Sequence, residues 1–284
     1  MYIHVYTMKI TKTVVEIGNG AAVYVPREYR GREVVVMIPE GIEEIRKDIL
    51  SRLIAFMPNI LGVYLYGSYA RGEEGAGSDI DILIITKEKD KKIKGILRVE
   101  DAFSDVDVRV LTLEEVRKSI KNFPALMLPI LKESKAFLNS ALVDELKDSE
   151  FDVRKFRWHF QDVKRILGII KTFVEIDDKD ISPSHIYSLI MRIRICYMIE
   201  SLLENKSFSN KAVKSVLLGY GLDRESYERF DFIYKRVRED KNVREKIDKK
   251  EILKLVGILT DYSKEIEREV QRYGKKKEKT GKRN

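Results

Sequence analysis

Two carboxylates stand inside an apolar run: Asp79 and Asp81 flank Ile80, and Ile82 to Ile85 follow without a break. Side chains two apart on a strand point to the same face. Both carboxylates therefore face one place, where they repel one another and where burying either unpaired costs several kcal/mol, on the order of the penalty for an isolated charge. A bound divalent cation with oxygen ligands, such as Mg²⁺, is a physical reason for them to be there. A third carboxylate, Asp107, lies between Val106 and Val108 on another apolar segment and can reach the same site from a neighbouring strand. Asp105 shares its parity but lies nearer the strand's start, so Asp107 is preferred. Ten residues ahead of Asp79, the run "VYLYGSYARG" ends an apolar strand on Gly67 and Ser68. Gly67 lacks a Cβ and lets a ligand approach the backbone. Ser68 is expected to cap a helix whose first N–H groups suit a phosphate, with Arg71 one turn in for a charge-assisted contact.

The arrangement Tyr66-Gly67-Ser68, ten residues, Asp79-Ile80-Asp81-Ile82, then Val106-Asp107-Val108 resembles the DNA polymerase beta superfamily of nucleotidyltransferases, in its minimal prokaryotic and archaeal form. The likeness covers about residues 42 to 140. It implies that Asp79 and Asp81 ligate two Mg²⁺ ions and that Gly67 and Ser68 hold the triphosphate of a nucleoside triphosphate. Asp107 would complete the first metal site and help deprotonate the acceptor. The implied reaction is Mg²⁺-dependent transfer of a nucleoside monophosphate to an acceptor hydroxyl on a small molecule, a protein or an RNA.

The elements that must position these residues follow from periodicity. Ile42, Ile45, Ile49, Leu53 and Phe56 recur at helical spacing, so a helix is expected over 42–57, with Pro58 and Asn59 stopping it. Strands "LGVYLY", "DIDILII" and "DVDVRVL" alternate with helices "KGILRVEDAF" and "LEEVRKSI", which makes 42–150 a compact mixed-sheet domain. From Phe151 the strand signal ends, and helical patterns over 152–177, 183–204, 209–218, 223–239 and 248–272 make 151–273 an all-helical, substrate-binding bundle. Residues 1–41 read as short strands around "GNG" and Pro26, and "VVEIGNGAAVYVPREYRGREVVVMIP" resembles the AbrB-like swapped-hairpin modules. That likeness implies a homodimer through 1–41 and raises DNA binding, although a net charge of +1 there is poor for gripping phosphates. The expected fold class is α+β: a mixed-sheet nucleotidyltransferase domain with an N-terminal β-hairpin module and a C-terminal all-α bundle.

Charge is uneven along the chain. Residues 151–284 carry a basic excess of ten, half of it in the tail 274–284, "GKKKEKTGKRN", whose composition is that of a disordered segment or a nucleic-acid arm. In the bundle, "RKFRWH" spaces Arg154 and His159 as in the ribonuclease motif of the HEPN group, which the helical region resembles; a surface arginine and a hydrogen-bonded, satisfied histidine are the plainer reading. "FRWHF" interleaves rings with bases, as single-strand binders do, yet Phe156 and Phe160 share a helical face and suit a core. Arg192 and Arg194 interrupt an apolar helix, and either meet phosphate in a cleft or extend to solvent. The one cysteine, Cys196, excludes an internal disulfide and any cysteine-rich metal site. No apolar run reaches the length of a membrane span and the opening lacks a signal-peptide pattern, so a cytoplasmic protein is expected. A second class remains open, that of a DNA-binding regulator or antitoxin-type component using the same fold as a nucleotide sensor.

Overall fold

The computed structural model describes residues 15–33, 41–75, 78–97, 106–176, 181–243 and 247–281. At the N-terminal end, β1 (Val15–Ile17) and β2 (Gly20–Ala22) pair antiparallel across the Gly18-Asn19 turn. The remaining strand expected of the swapped-hairpin module, "EVVVMIP", falls almost wholly outside the described residues, as does Asp105, and residues 23–26, expected to continue β2, carry no strand.

The central domain runs α1 (Ile42–Leu53), β3 (Ile60–Tyr66), α2 (Gly67–Arg71), β4 (Ile80–Thr86), α3 (Lys91–Leu97), β5 (Val106–Thr112), α4 (Leu113–Asn122), α5 (Pro124–Glu133), β6 (Lys135–Leu138) and α6 (Ser140–Lys147). Its sheet has the order β5-β4-β3-β6, with β4 and β5 parallel and the other pairs antiparallel. The connections suit this mixing: the shorter link over 67–79 returns β4 antiparallel to β3, whereas the longer crossover through α3 sets β5 parallel to β4. Alternation then sorts the side chains. Val63, Leu65, Ile82, Ile84 and Val108 pack under α1 and α3, while Tyr64, Tyr66, Leu83 and Ile85 face the opposite way. Asp81 has the parity of Leu83 and Ile85, so the carboxylates belong to that second face.

That second face is covered by the C-terminal bundle. Helices α7 (Arg157–Ile176), α8 (Pro183–Leu203), α9 (Asn210–Gly219), α10 (Arg224–Arg238) and α11 (Lys249–Gly281) share one apolar cluster with α4, α5 and the sheet, including Val116, Leu128, Phe160, Leu189 and Ile193. Start signals are legible at several helices: Ser182 caps α8 ahead of Pro183, Asp223 caps α10, and Thr112 with Glu115 forms a capping box at α4. The expected disordered tail differs. α11 continues through Gly281, because the lysines of 275–279 are good helix formers and their charges lie at the favourable end of the helix dipole. Phe156 and Phe160 are buried in the core, as their shared face required. Arg192 and Arg194 do neither of the things expected of them: Arg192 pairs with Asp162 at 2.7 Å, and Arg194 donates to Asn210 at 2.7 Å. Arg154 bonds Asp152 at the surface while His159 is buried, so the Arg-x₄-His spacing does not make a joint site. Among the described residues, no helix is long and apolar enough to cross a membrane.

Candidate active site

Strand register brings the carboxylates together. On β4 and β5 Asp81 lies directly opposite Asp107, and on the other side of β4 Asp81 lies opposite Tyr66, the last residue of β3. Asp79 sits just before β4 and is half-buried, as is Asp81, while Asp107 is exposed on the edge strand. Gly67 follows Tyr66 with φ +76°, a left-handed conformation that favours glycine, and an added Cβ would stand 1.9 Å from Asp81 Oδ2. The glycine therefore serves both the turn and the seating of the Asp81 carboxylate.

The site is electrostatically tense. Burial pushes the Asp81 carboxyl up to about 6; Arg238 opposes this, and Asp107, Asp79 and Glu133 add to it. Tyr66 has a buried hydroxyl without a hydrogen-bond partner, raised far above the ordinary phenol range by burial, opposed by Arg109, whose guanidinium lies 5.9 Å from its ring, and raised further by Asp81, Asp107 and Glu133. Hard carboxylate oxygens on one face, a glycine cradle beside one of them and an orphaned hydroxyl next to them suit a hydrated Mg²⁺ in donor chemistry. Asp81 and Asp107 are the residues placed to hold it, with Asp79 at the strand entrance. No cluster of three His, Cys, Asp or Glu side chains is gathered at metal-binding distance among the described residues, so the arrangement is a pair of cross-strand carboxylates rather than a preassembled cage.

Gly67 and Arg71 have partners that sequence reasoning missed. The Gly67 N–H donates to Glu133 Oε1 at 2.9 Å, and Arg71 donates to Glu133 Oε2 at 2.7 Å and to Glu73 Oε2 at 2.8 Å. Glu73 in turn accepts from the Ser209 hydroxyl at 3.0 Å and from the Asn210 N–H at 3.0 Å, at the start of α9. Phe208 lies under the Arg71 guanidinium, 5.3 Å from ring centre to Cζ. Arg71 was expected to meet phosphate; in this structure its Nε and Nη1 donate to two carboxylates, with side-chain exposures of 13% for Arg71, 9% for Glu73 and 7% for Glu133. Ser68 was expected to cap α2 but is the second residue inside it, and no side chain caps that helix. This chain of contacts clamps the Gly67 turn to the bundle.

Tyr66 was discoverable, since it has the strand parity of the site and precedes Gly67. Glu73, Glu133 and Arg238 were not, because contacts spanning 62 or 137 residues, such as Arg71 to Glu133 and Glu73 to Asn210, leave no local period. Arg238 did carry a faint signal, the basic run Lys235, Arg236 and Arg238 closing α10.

Comparison with known proteins places this geometry. Residues 48–139 match the family described as Polymerase beta, Nucleotidyltransferase. No curated protein matches the chain by sequence. Among solved structures, a spectinomycin adenyltransferase from Enterococcus faecialis, crystallised with ATP and spectinomycin, is 15% identical, with 79% of this chain and 98% of that one aligned at a TM-score of 0.45. A toxin-antitoxin structure with AMP-PNP is 21% identical over 45% of this chain and 98% of that one, TM-score 0.29. A nucleotidyltransferase-like protein from Exiguobacterium sibiricum is 12% identical over 82% and 78%, TM-score 0.33. The central domain, which carries the Gly67-Ser68 turn and the cross-strand aspartates, is a nucleotidyltransferase domain of the polymerase beta superfamily.

Proposed function

We propose that the chain transfers a nucleoside monophosphate from a nucleoside triphosphate to an acceptor hydroxyl at the Asp79-Asp81-Asp107 face, with two Mg²⁺ ions as cofactor. The observation that carries this is the register pairing Asp81 with Asp107 beside a glycine whose Cβ position is filled by the Asp81 carboxylate. When bound, Mg²⁺ supplies charge neutralisation at the α-phosphate and at the leaving pyrophosphate. Asp79, Asp81 and Asp107 would hold the cations, with Asp79 and Asp81 orienting the triphosphate. Asp107, exposed on the edge strand, accepts the proton of the acceptor hydroxyl as the acceptor oxygen bonds the α-phosphorus and the bond to the β-phosphate breaks. Arg238, close enough to Asp81 to offset part of the burial effect on it, adds positive charge from the bundle side. Glu133 and Glu73 act through Arg71 and the Gly67 N–H, fixing the turn on which the phosphates rest.

Support comes from the family match over residues 48–139 and from the fit of the donor set. The test is incorporation of label from α-labelled triphosphates into acceptor mixtures, small molecules, proteins and RNA in separate reactions, with stoichiometric pyrophosphate release. Transfer that needs Mg²⁺ and disappears in Asp107→Asn is expected. Transfer that survives Asp107→Asn at full rate, or that proceeds in EDTA, would overturn the assignment.

A further inference from the structure

Asp107 has a charged companion on β5. Arg109 comes two residues later, so it shares the carboxylate's face of the sheet, and like Asp107 it is exposed on this edge strand. Register sets Arg109 opposite Leu83, one step along from the row formed by Tyr66, Asp81 and Asp107. Its guanidinium nevertheless lies 5.9 Å from the centre of the Tyr66 ring, although Tyr66 belongs to β3, two strand spacings or about 10 Å away. The two side chains therefore meet across β4, over the face that carries Asp81.

The guanidinium is uncommitted there. Among the described residues Arg109 makes no ion pair and no hydrogen bond, with Asp81 and Asp107 included, whereas Arg71 spends Nε and Nη1 on Glu73 and Glu133. A separation of 5.9 Å is at the outer limit of a cation–π contact. The ring thus positions the guanidinium and leaves its five N–H donors available. We propose, resting on the transfer reading above, that Arg109 grips the α-phosphate of the nucleoside triphosphate, the phosphoryl group that is transferred.

Position selects that phosphate. In the transfer reading the acceptor hydroxyl loses its proton at Asp107 on β5, and the phosphates rest on the Gly67 turn at the end of β3. The phosphorus that gains the acceptor oxygen and loses the bridging oxygen to the β-phosphate lies between those two ends, over β4, where Arg109 and Tyr66 meet. Charge points the same way. Asp79, Asp81 and Asp107 repel an anionic phosphoryl group, so a cation not already spent on a carboxylate is needed beside it. A guanidinium presents paired donors in one plane that fit two oxygens of one phosphate, and such charge-assisted bonds are roughly twice as strong as neutral ones. Arg109 forms and breaks no covalent bond in this role; it donates to the two non-bridging oxygens.

The test uses the full chain with Mg²⁺, native and as Arg109→Gln and Arg109→Lys. Calorimetric titration takes three probes: the ribonucleoside triphosphate that the native chain binds best, its 5′-monophosphate and inorganic pyrophosphate. The monophosphate keeps the α-phosphate, and pyrophosphate represents only the leaving portion. Arg109→Gln is expected to weaken triphosphate and monophosphate at least tenfold and pyrophosphate less than twofold. Arg109→Lys should recover part of the loss, because an ammonium restores the charge but not the fork. In ³¹P spectra of the bound triphosphate, the α resonance should differ between the native chain and Arg109→Gln while the β and γ resonances hold. Since the side chain is exposed and has no bonded partner, both variants should melt within about 2 °C of the native chain; a larger drop would contradict an uncommitted arginine. Triphosphate binding within twofold of native in Arg109→Gln overturns the proposal. An equal loss for pyrophosphate also overturns it, by placing the arginine on the leaving group. A native chain that binds no triphosphate with Mg²⁺ overturns the transfer reading itself and this assignment with it, whereas native binding with an indifferent Arg109→Gln overturns the assignment alone.

Discussion

Replacing Arg71 by methionine keeps its bulk and removes its charge, leaving Glu73 and Glu133 buried at 9% and 7% side-chain exposure with no countercharge. Breaking a buried pair by deleting one partner costs about 3–5 kcal/mol, because the carboxylate left behind is neither solvated nor paired. Here two are left, although Glu73 retains the Ser209 and Asn210 donors and Glu133 retains the Gly67 N–H. The expected loss is therefore about 3–5 kcal/mol rather than twice that. At roughly 2–3 °C per kcal/mol for a chain of this size, Tm should fall by about 6–15 °C. Arg71→Lys should recover less than half, since one ammonium cannot match a guanidinium that donates from Nε to one carboxylate and from Nη1 to the other. Adding Glu133→Gln to Arg71→Met should recover at least about 1 kcal/mol, because it removes one stranded charge, and a double-mutant cycle measures that coupling. Thermal and urea melts without nucleotide provide the assay. An Arg71 whose only role is to hold substrate phosphate would leave these melts unchanged; a loss below about 1 kcal/mol would refute the clamp.

Three further outcomes are expected. Gly67→Ala introduces a Cβ 1.9 Å from Asp81 Oδ2 at φ +76°; it should cost roughly 1–3 kcal/mol and abolish Mg²⁺-dependent nucleotide binding, and a folded variant that binds normally would contradict the cradle. Asp81, raised by burial to about 6, contributes most to stability below the unfolded pKa, and that contribution is lost as pH rises from about 4 through about 6. Discounted for solvent screening of a half-buried group, the loss is on the order of 1–2 kcal/mol; the stability difference between the native chain and Asp81→Asn should shift by that amount across the window, and Mg²⁺ should raise Tm more at pH 8 than at pH 5. Glu73→Ala removes the acceptor for the Asn210 N–H, so hydrogen exchange should accelerate at the start of α9 while the β4 amides keep their protection.

The carboxylate face was legible because strand parity is a strictly local rule: Asp79, Ile80 and Asp81 declare their faces within three residues, and Val106-Asp107-Val108 does the same. What parity could not supply is register, the choice that sets Asp81 opposite Asp107 rather than one step away. The clamp was illegible for a related reason. Glu133 ends an apolar helix and Glu73 follows a turn, and nothing near either residue says that Arg71 lies between them. The helices of the bundle were legible from their apolar stripes and caps, but the end of α11 was not, because a lysine-rich composition suits both a solvated coil and an extended helix. Arg192 and Arg194 show the same limit: each has a nearby partner, Asp162 on the neighbouring helix and Asn210 at the start of the next, that only packing reveals.

The most direct test of the proposed transfer site is calorimetric titration of each of the four ribonucleoside triphosphates into the native chain and into Asp79→Asn/Asp81→Asn, with Mg²⁺ and with EDTA. Binding of at least one triphosphate that requires Mg²⁺ and is lost in the double variant is the predicted result. Equal binding with and without the metal, or equal binding by the double variant, would contradict a site built on those two carboxylates.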